Sequence, residues 1–357
     1  MQFGSDNHTG ASSQVLEMMV SANTGYTAGY GNDDWTMQAV VALRKVFECD
    51  LEAFFVPTGT ASNSLALSCM VQPWETIICH EHAHIYLDES TAPEFFTGGA
   101  RLKAIAKGVG KISADLLNDY YINSAGVDFP HNSRVGALSI TQASELGQVY
   151  TPEEIKSLSE IAKEHNINFH MDGARFANAV AHLNCTPAEL TWKSGVDVLC
   201  LGATKCGALC AEAVIFFNKE LSENFIHRRK RTGHLISKGR IFGSQFVGWL
   251  KNDHWLDLAT HANAHAQKLA ADLSSVEEIQ LAWPVEANEI FVIISKKLFK
   301  VLKEAGGEFY EWYDEALPLG RTLKEDQMLI RLVTSFATED QHRIDFINVI
   351  NQFYSVQ

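Results

Sequence analysis

Between residues 50 and 217 the chain alternates short apolar, strand-like runs with stretches of helical periodicity, and this alternation restricts the fold more than any other feature. The runs are Glu52–Val56, Thr76–Cys79, Val135–Ile140, Ile167–Met171, Val196–Leu201 and Glu212–Phe217. Strands separated by helices predict an α/β fold, a mostly parallel sheet covered by helices on both faces. One intervening helix is marked with unusual clarity. Thr151 is placed to cap it, Pro152 falls at the first helical position, Glu154 completes a capping box, and Ile155, Leu158, Ile161 and Ala162 form one apolar stripe.

Beyond about residue 240 the pattern changes. A long helical stretch, Ala259–Leu273, leads to strand-like Glu289–Ser295, Glu308–Trp312 and Met328–Phe336, with an amphipathic helix from about Thr338. The expected division is a large domain over residues 1–245, its N-terminal segment reaching the active site, and a smaller C-terminal α+β domain over 246–357.

At 46% hydrophobic and 20% charged residues, the chain has enough apolar material for a large core. No run of about 18 apolar residues is present, so no membrane span is expected. The start lacks a signal-peptide pattern, which makes the cytoplasm the expected location. A net charge of −14 argues against a nucleic-acid partner. Seven scattered cysteines read as reduced thiols.

In open α/β sheets ligands sit beyond the carboxyl ends of the strands, and several polar residues fall there: Gly59, His84, Asp172 and Lys205. A lysine and an aspartate at the ends of neighbouring strands are what pyridoxal phosphate (PLP) chemistry requires. The amine condenses with the aldehyde, and the carboxylate keeps a proton on the pyridine nitrogen so that the ring draws electrons. Each has a plainer alternative, a helix cap for Asp172 and a surface lysine for Lys205. Pro57-Thr58-Gly59-Thr60-Ala61-Ser62-Asn63 opens an apolar helix and suits either a single phosphate or an ordinary turn with a threonine cap. His80, His82 and His84 alternate; on a strand they would share one face, which would suit a metal-dependent hydrolase. Arg175 and Arg331 are suited to a carboxylate, and Arg331 stands inside an apolar run where an unpaired charge would be costly. The basic run from His227 to Arg231 reads as a solvated helix face, a phosphate site or a subunit contact.

With these residues assembled, the chain resembles the threonine aldolase/β-eliminating lyase family of fold-type I PLP enzymes, and within it the low-specificity L-threonine aldolases, including phenylserine-acting members. The resemblance rests on Gly4-Ser5-Asp6-Asn7, Ala28-Gly29-Tyr30-Gly31, Gly59-Thr60-Ala61-Ser62-Asn63, Ala83-His84, His170-Met171-Asp172-Gly173-Ala174-Arg175 and Gly202-Ala203-Thr204-Lys205. It implies cleavage of L-threonine, L-allo-threonine or related L-β-hydroxy-α-amino acids to glycine and an aldehyde; β-elimination would use the same cofactor. It implies that Lys205 carries the cofactor, Asp172 faces its ring nitrogen and His84 stacks on the ring. Gly59 and Thr60 would hold the phosphate, Ala61 and Thr204 would also bind the cofactor, and Ser5, Arg175 and Arg331 would take the substrate carboxylate, with Arg175 also near the cofactor's phenolic oxygen. No metal is expected. Tyr30 and a basic residue, Lys230 or Lys238, would come from a neighbouring subunit of a dimer or tetramer with its sites at the interface. One departure stands out: many relatives carry a histidine in the loop after the strand Val135–Ile140, where this chain has Gln142. The base for the substrate hydroxyl would then be His84, or a water it holds, with Glu145 as the next choice.

Overall fold

The computed structural model describes residues 1–108, 110–125 and 131–355. Its larger sheet contains β1 (Glu52–Val56), β2 (Thr76–His80), β3 (Arg101–Ala106), β4 (Val135–Thr141), β5 (Asn168–Gly173), β6 (Val198–Gly202) and β7 (Glu212–Phe216), in the order β1-β7-β6-β5-β4-β2-β3. All neighbours run parallel except β7, which is antiparallel to both β1 and β6. The carboxyl ends of β1, β2, β4, β5 and β6 therefore share one edge, and β7 brings its first residue, Glu212, to that same edge.

Why these runs form this sheet is visible in their two faces. Phe169, Met171, Leu199, Leu201, Ala213 and Ile215 pack into one core, while Ala137, Val198, Cys200, Val214 and Phe216 pack into a second on the opposite side. Period-two alternation with both sides apolar leaves the strands stable only between two helical layers. The helix Gly59–Met70, buried along nearly its whole length, lies against β5, β6 and β7; Thr58 caps it through Oγ1, which accepts from the Ala61 N–H at 3.1 Å. The capping box at Thr151 and Glu154 is present as read, opening the helix Pro152–Glu164.

The second sheet is antiparallel, ordered β10-β11-β9-β8: β8 (Gln280–Leu281), β9 (Glu289–Ser295), β10 (Tyr310–Trp312) and β11 (Gln327–Val333). It packs with the helices His254–Ser274 and Asp340–Ser355 around its own core. The N-terminal segment is stitched onto this sheet: Phe3 donates to Glu308 O at 2.8 Å, accepts from the Val333 N–H at 2.8 Å and buries its ring beside Phe346. Residue 245 falls inside the helix Arg240–Leu250.

Two sequence expectations are corrected. The strand β3 was not recognised, because Arg-Leu-Lys-Ala-Ile-Ala is a sheet-edge strand with three half-buried positions and one exposed. His80, His82 and His84 do not share a strand face: β2 ends at His80, His82 lies in the following turn and His84 opens the short helix His84–Leu87.

The packing at Gly202 allows a direct check. A Cβ there would sit 2.8 Å from Ala174 Cα and 3.0 Å from Glu212 Oε2. Gly202→Ala should therefore lower stability by about 1–3 kcal/mol, read as a fall in thermal midpoint, whereas alanine at Gly306, with open space around it but φ of +85°, should suffer only backbone strain.

Candidate active site

The shared strand edge and the small sheet enclose a cavity of about 520 Å³. Of the residues singled out from sequence, Ser5, Gly59, Thr60, His84, Asp172, Arg175, Thr204, Lys205 and Arg331 line it. Ala61 is buried one step into its helix, its N–H already taken by Thr58. Tyr30, Lys230 and Lys238 lie outside the cavity wall; the Lys230 ammonium stands 5.0 Å from the Tyr30 ring, and Tyr30 N–H donates to Ser237 O at 2.8 Å.

Lys205 follows β6 in a single 3₁₀ turn, Thr204–Cys206. The loop back to β7 is closed by Thr204, whose hydroxyl donates to Glu212 Oε1 at 2.5 Å and accepts from the Ala211 N–H at 3.1 Å. Because β6 ends in a glycine opposite Glu212, that carboxyl has room to reach the cavity. Burial pushes Glu212 up to about 7, with Thr204 and Lys205 pulling the other way.

Asp172, on β5, turns a buried carboxylate to the same space. Its Oδ1 accepts from the Ala174 N–H at 3.0 Å and its Oδ2 from Asn63 Nδ2 at 2.8 Å. Asn63 Nδ2 also donates to Glu89 Oε1 at 2.9 Å, and Glu89 Oε1 in turn bonds His84 Nδ1 at 2.9 Å. The hydrogen bond to Glu89 is the main cause that raises His84 above the usual imidazole value. The His84 backbone N–H donates to Glu145 Oε1 at 2.6 Å, which also accepts from the Thr141 hydroxyl at 3.1 Å. Burial, aided by the charge of Asp172, pushes Glu145 up to about 7.

The arginines are arranged differently from each other. Arg175 is fully enclosed and bound by Asp6 through two parallel bonds, Nε to Oδ2 at 2.8 Å and Nη2 to Oδ1 at 3.0 Å. Burial alone would raise the Asp6 carboxyl, but Arg175 and Lys205 hold it below its ordinary value. Arg331 lies 4.2 Å over the Trp312 ring, with Nη1 3.7 Å from Glu289 Oε1; the same oxygen is 3.5 Å from Arg175 Nη2. Glu289 is thus the acid that Arg331 faces within the chain. Gln142 is completely buried and bonds the backbone of Tyr150 with both ends of its amide, Nε2 to O at 2.7 Å and Oε1 from N–H at 3.0 Å. It is absent from the cavity wall, where Ala143 stands instead.

His80 and His82 stack on each other at 5.6 Å, and burial lowers both, His80 to about 4. Among the described residues no group of three or more histidine, cysteine, aspartate or glutamate side chains is arranged to hold a metal ion. Sequence reasoning gave no role to Asn63, Glu89, Glu212, Glu289 and Trp312. The one advance signal was Asn63, inside the helix-opening motif.

Residues 2–297 match the model of the β-eliminating lyase family. The chain belongs to that family. It is 43% identical to proteins named low specificity L-threonine aldolase from a Pseudomonas species, over 87% of this chain and 88% of that one, and from Pseudomonas aeruginosa, over 88% and 90%. The solved structure of a Leishmania major threonine aldolase superposes with a TM-score of 0.90, 28% identity and 99% coverage of both chains. Members of the family depend on PLP, and this lyase shares their fold-type I architecture.

The Asp6–Arg175 pair makes a stability prediction. A carboxyl depressed in the folded state contributes stability above its ordinary range, and that contribution is lost as pH falls through the lowered value. At pH 7, Asp6→Ala should cost about 3–5 kcal/mol by urea denaturation, because it removes both hydrogen bonds of a buried guanidinium and leaves it only the longer contact with Glu289.

Proposed function

We propose that this enzyme cleaves L-threonine, L-allo-threonine or related L-β-hydroxy-α-amino acids such as phenylserine to glycine and an aldehyde. The observation that carries the proposal is the meeting of Lys205 and Asp172 in one cavity, in a chain 43% identical to two proteins named for that activity.

The residues present fit the cofactor. Lys205 would hold its aldehyde carbon. Asp172, already fixed by two N–H donors, would accept the proton-bearing ring nitrogen. Gly59 and Thr60 would offer the phosphate the N–H groups of a helix start, Ala61's being taken by Thr58. Thr204, whose hydroxyl proton goes to Glu212, would shape that end of the pocket. His84, on the cavity wall, would lie against the ring. When bound, the cofactor supplies an electron sink for the pair released at Cα.

The chain's own groups do the rest. Arg331, braced on Trp312, would take the substrate carboxylate with Ser5, while Arg175 is engaged by Asp6 and serves to fix the floor beneath them. His84 would remove the β-hydroxyl proton. Glu145 is the weaker choice, since Oε1 is occupied by the His84 N–H and the Thr141 hydroxyl. Trp312 and Tyr313 line the cavity on the side of the small sheet. Lys205→Ala should abolish both the visible absorbance of the holoenzyme and turnover. Arg331→Gln should raise KM for threonine at least about tenfold while leaving the absorbance intact. Release of pyruvate rather than acetaldehyde and glycine would overturn the aldolase assignment.

The proposal extends to a large cofactor-binding domain (1–245), a small C-terminal domain (246–357) and a cytoplasmic homo-oligomer, a dimer or tetramer. Two observations support a second copy. Near Gly59 and Thr60 the wall offers hydroxyls and backbone, and among the described residues its lysine and arginines are Lys205, Arg175 and Arg331. In addition Leu16, Val20, Met37 and Val41 are exposed on the helices Ser13–Ala22 and Asp34–Val46, beside the surface that carries Tyr30. Lys230 or Lys238 of a neighbouring copy would supply the missing phosphate charge, with Tyr30 completing the substrate side. Mixing inactive Lys205→Ala chains with inactive Lys230→Ala/Lys238→Ala chains, unfolded and refolded together, should recover part of the activity; mixtures with no activity would count against a shared site.

A further inference from the structure

We infer that Glu89 is a positioning residue for this reaction: it fixes the tautomer of His84 and, through Asn63, ties that histidine to Asp172. The inference rests on the reading of His84 as the base.

The argument is one of donors and acceptors. Glu89 is buried and its side chain is wholly enclosed, so Oε1 meets only what the protein provides, Asn63 Nδ2 and His84 Nδ1. Oε1 already accepts from Asn63 Nδ2, and as an acceptor toward His84 too it sets the hydrogen on Nδ1 and leaves Nε2 the lone pair. The orientation of Asn63 follows from the same rule: its Nδ2 lies 2.9 Å from Glu89 and 2.8 Å from Asp172, and the reversed amide would set an oxygen against two carboxylates. One amide thus gives one hydrogen to the acid that orients the base and one to the acid proposed to face the cofactor nitrogen. The His84 backbone is anchored separately, by Glu145.

In the reaction, Nε2 takes the β-hydroxyl proton, the oxygen's freed pair becomes the second C–O bond of the aldehyde, and the Cα–Cβ pair stays with the glycine fragment, which later gains a proton. Charges facing His84 act in known directions. Glu89 and Asp172 favour its protonated form, Lys205 disfavours it, and Glu145 adds a further acid on the strand side. Removing the charge of Glu89 lowers the His84 value; removing Asn63 leaves both carboxylates less well compensated and raises it.

The test uses the holoenzyme. In Glu89→Gln the acidic limb of kcat/KM should move to lower pH and kcat should fall at least about tenfold, while in Asn63→Ala the limb should move to higher pH. A defect in packing alone would not shift the two limbs in opposite directions. Imidazole 15N shifts, with His84 assigned through His84→Asn, should report a protonated Nδ1 in the native protein and a mixed tautomer in Glu89→Gln. Limbs that stay in place in both variants, or a native His84 protonated on Nε2, would overturn the inference. Should Glu89→Gln not fold, Asn63→Ala and the native tautomer remain decisive. Loss of the aldolase reading itself would appear separately, as native holoenzyme that makes no glycine.

Discussion

The buried pair between Asp6 and Arg175 holds the site together, because it joins three parts of the chain that no local interaction would bring near each other. Asp6 belongs to the N-terminal segment bound to the small sheet, and Arg175 to the turn after β5 of the large one. A guanidinium taken from water in this way is strongly unfavourable unless its partner is in place, so the pair forms only when both sheets and the leading segment have docked. Asn288, beside β9, also donates to Asp6 Oδ2, at 3.1 Å, which draws the small sheet into the same contact. Once Arg175 is fixed, the loop from Asp172 to Arg175 is fixed as well.

Around that anchor acids and bases meet. Asp88, Asp172, Glu145 and Glu212 line the cavity, with Asp6, Glu89 and Glu289 just behind, and face Lys205, Arg175, Arg331, His82 and His84. Burial moves Glu145 and Glu212 up to about 7, so near neutrality part of their acidity is held as neutral carboxyl; burial raises Glu289 as well, against the pull of Arg175 and Arg331. Such groups can exchange protons at working pH without large driving forces, which is the condition a proton-shuffling site needs. A phosphorylated ligand brings further negative charge, which gives a physical reason for cations from outside the single chain.

The sheet was legible because each of its inner strands is apolar on both faces, and only that composition survives between two helical layers. β3 escaped notice because an edge strand needs fewer apolar positions. The strand-end residues Gly59, Asp172 and Lys205 were legible because α/β topology collects such positions at one edge. His80 and His82 misled, since alternation suggests a strand only while the strand continues, and β2 ends at His80. Glu89, Glu212 and Glu289 were not legible. Each earns its place by a contact made across the fold, and nothing beside it in sequence marks it. Glu212 is the clearest instance, reaching the site only because β7 runs antiparallel and Gly202 opposite it has no side chain.

The loop after β4 shows how a substitution can be read from geometry once the fold is in hand. Gln142 cannot stand in for a histidine as a base, because both ends of its amide are bonded to Tyr150 in a fully buried position. What the loop does present is Ala143 and Glu145, and the latter's contact is with the backbone of His84 rather than with its ring. The loop therefore positions the short helix that carries His84, while the imidazole is oriented from the other side by Glu89. A base held by its backbone from the loop after β4 and by its ring from the turn that follows its own short helix has little freedom to swing. That constraint supports the proposal that His84 is the base, where the sequence alone offered Glu145 as the next choice.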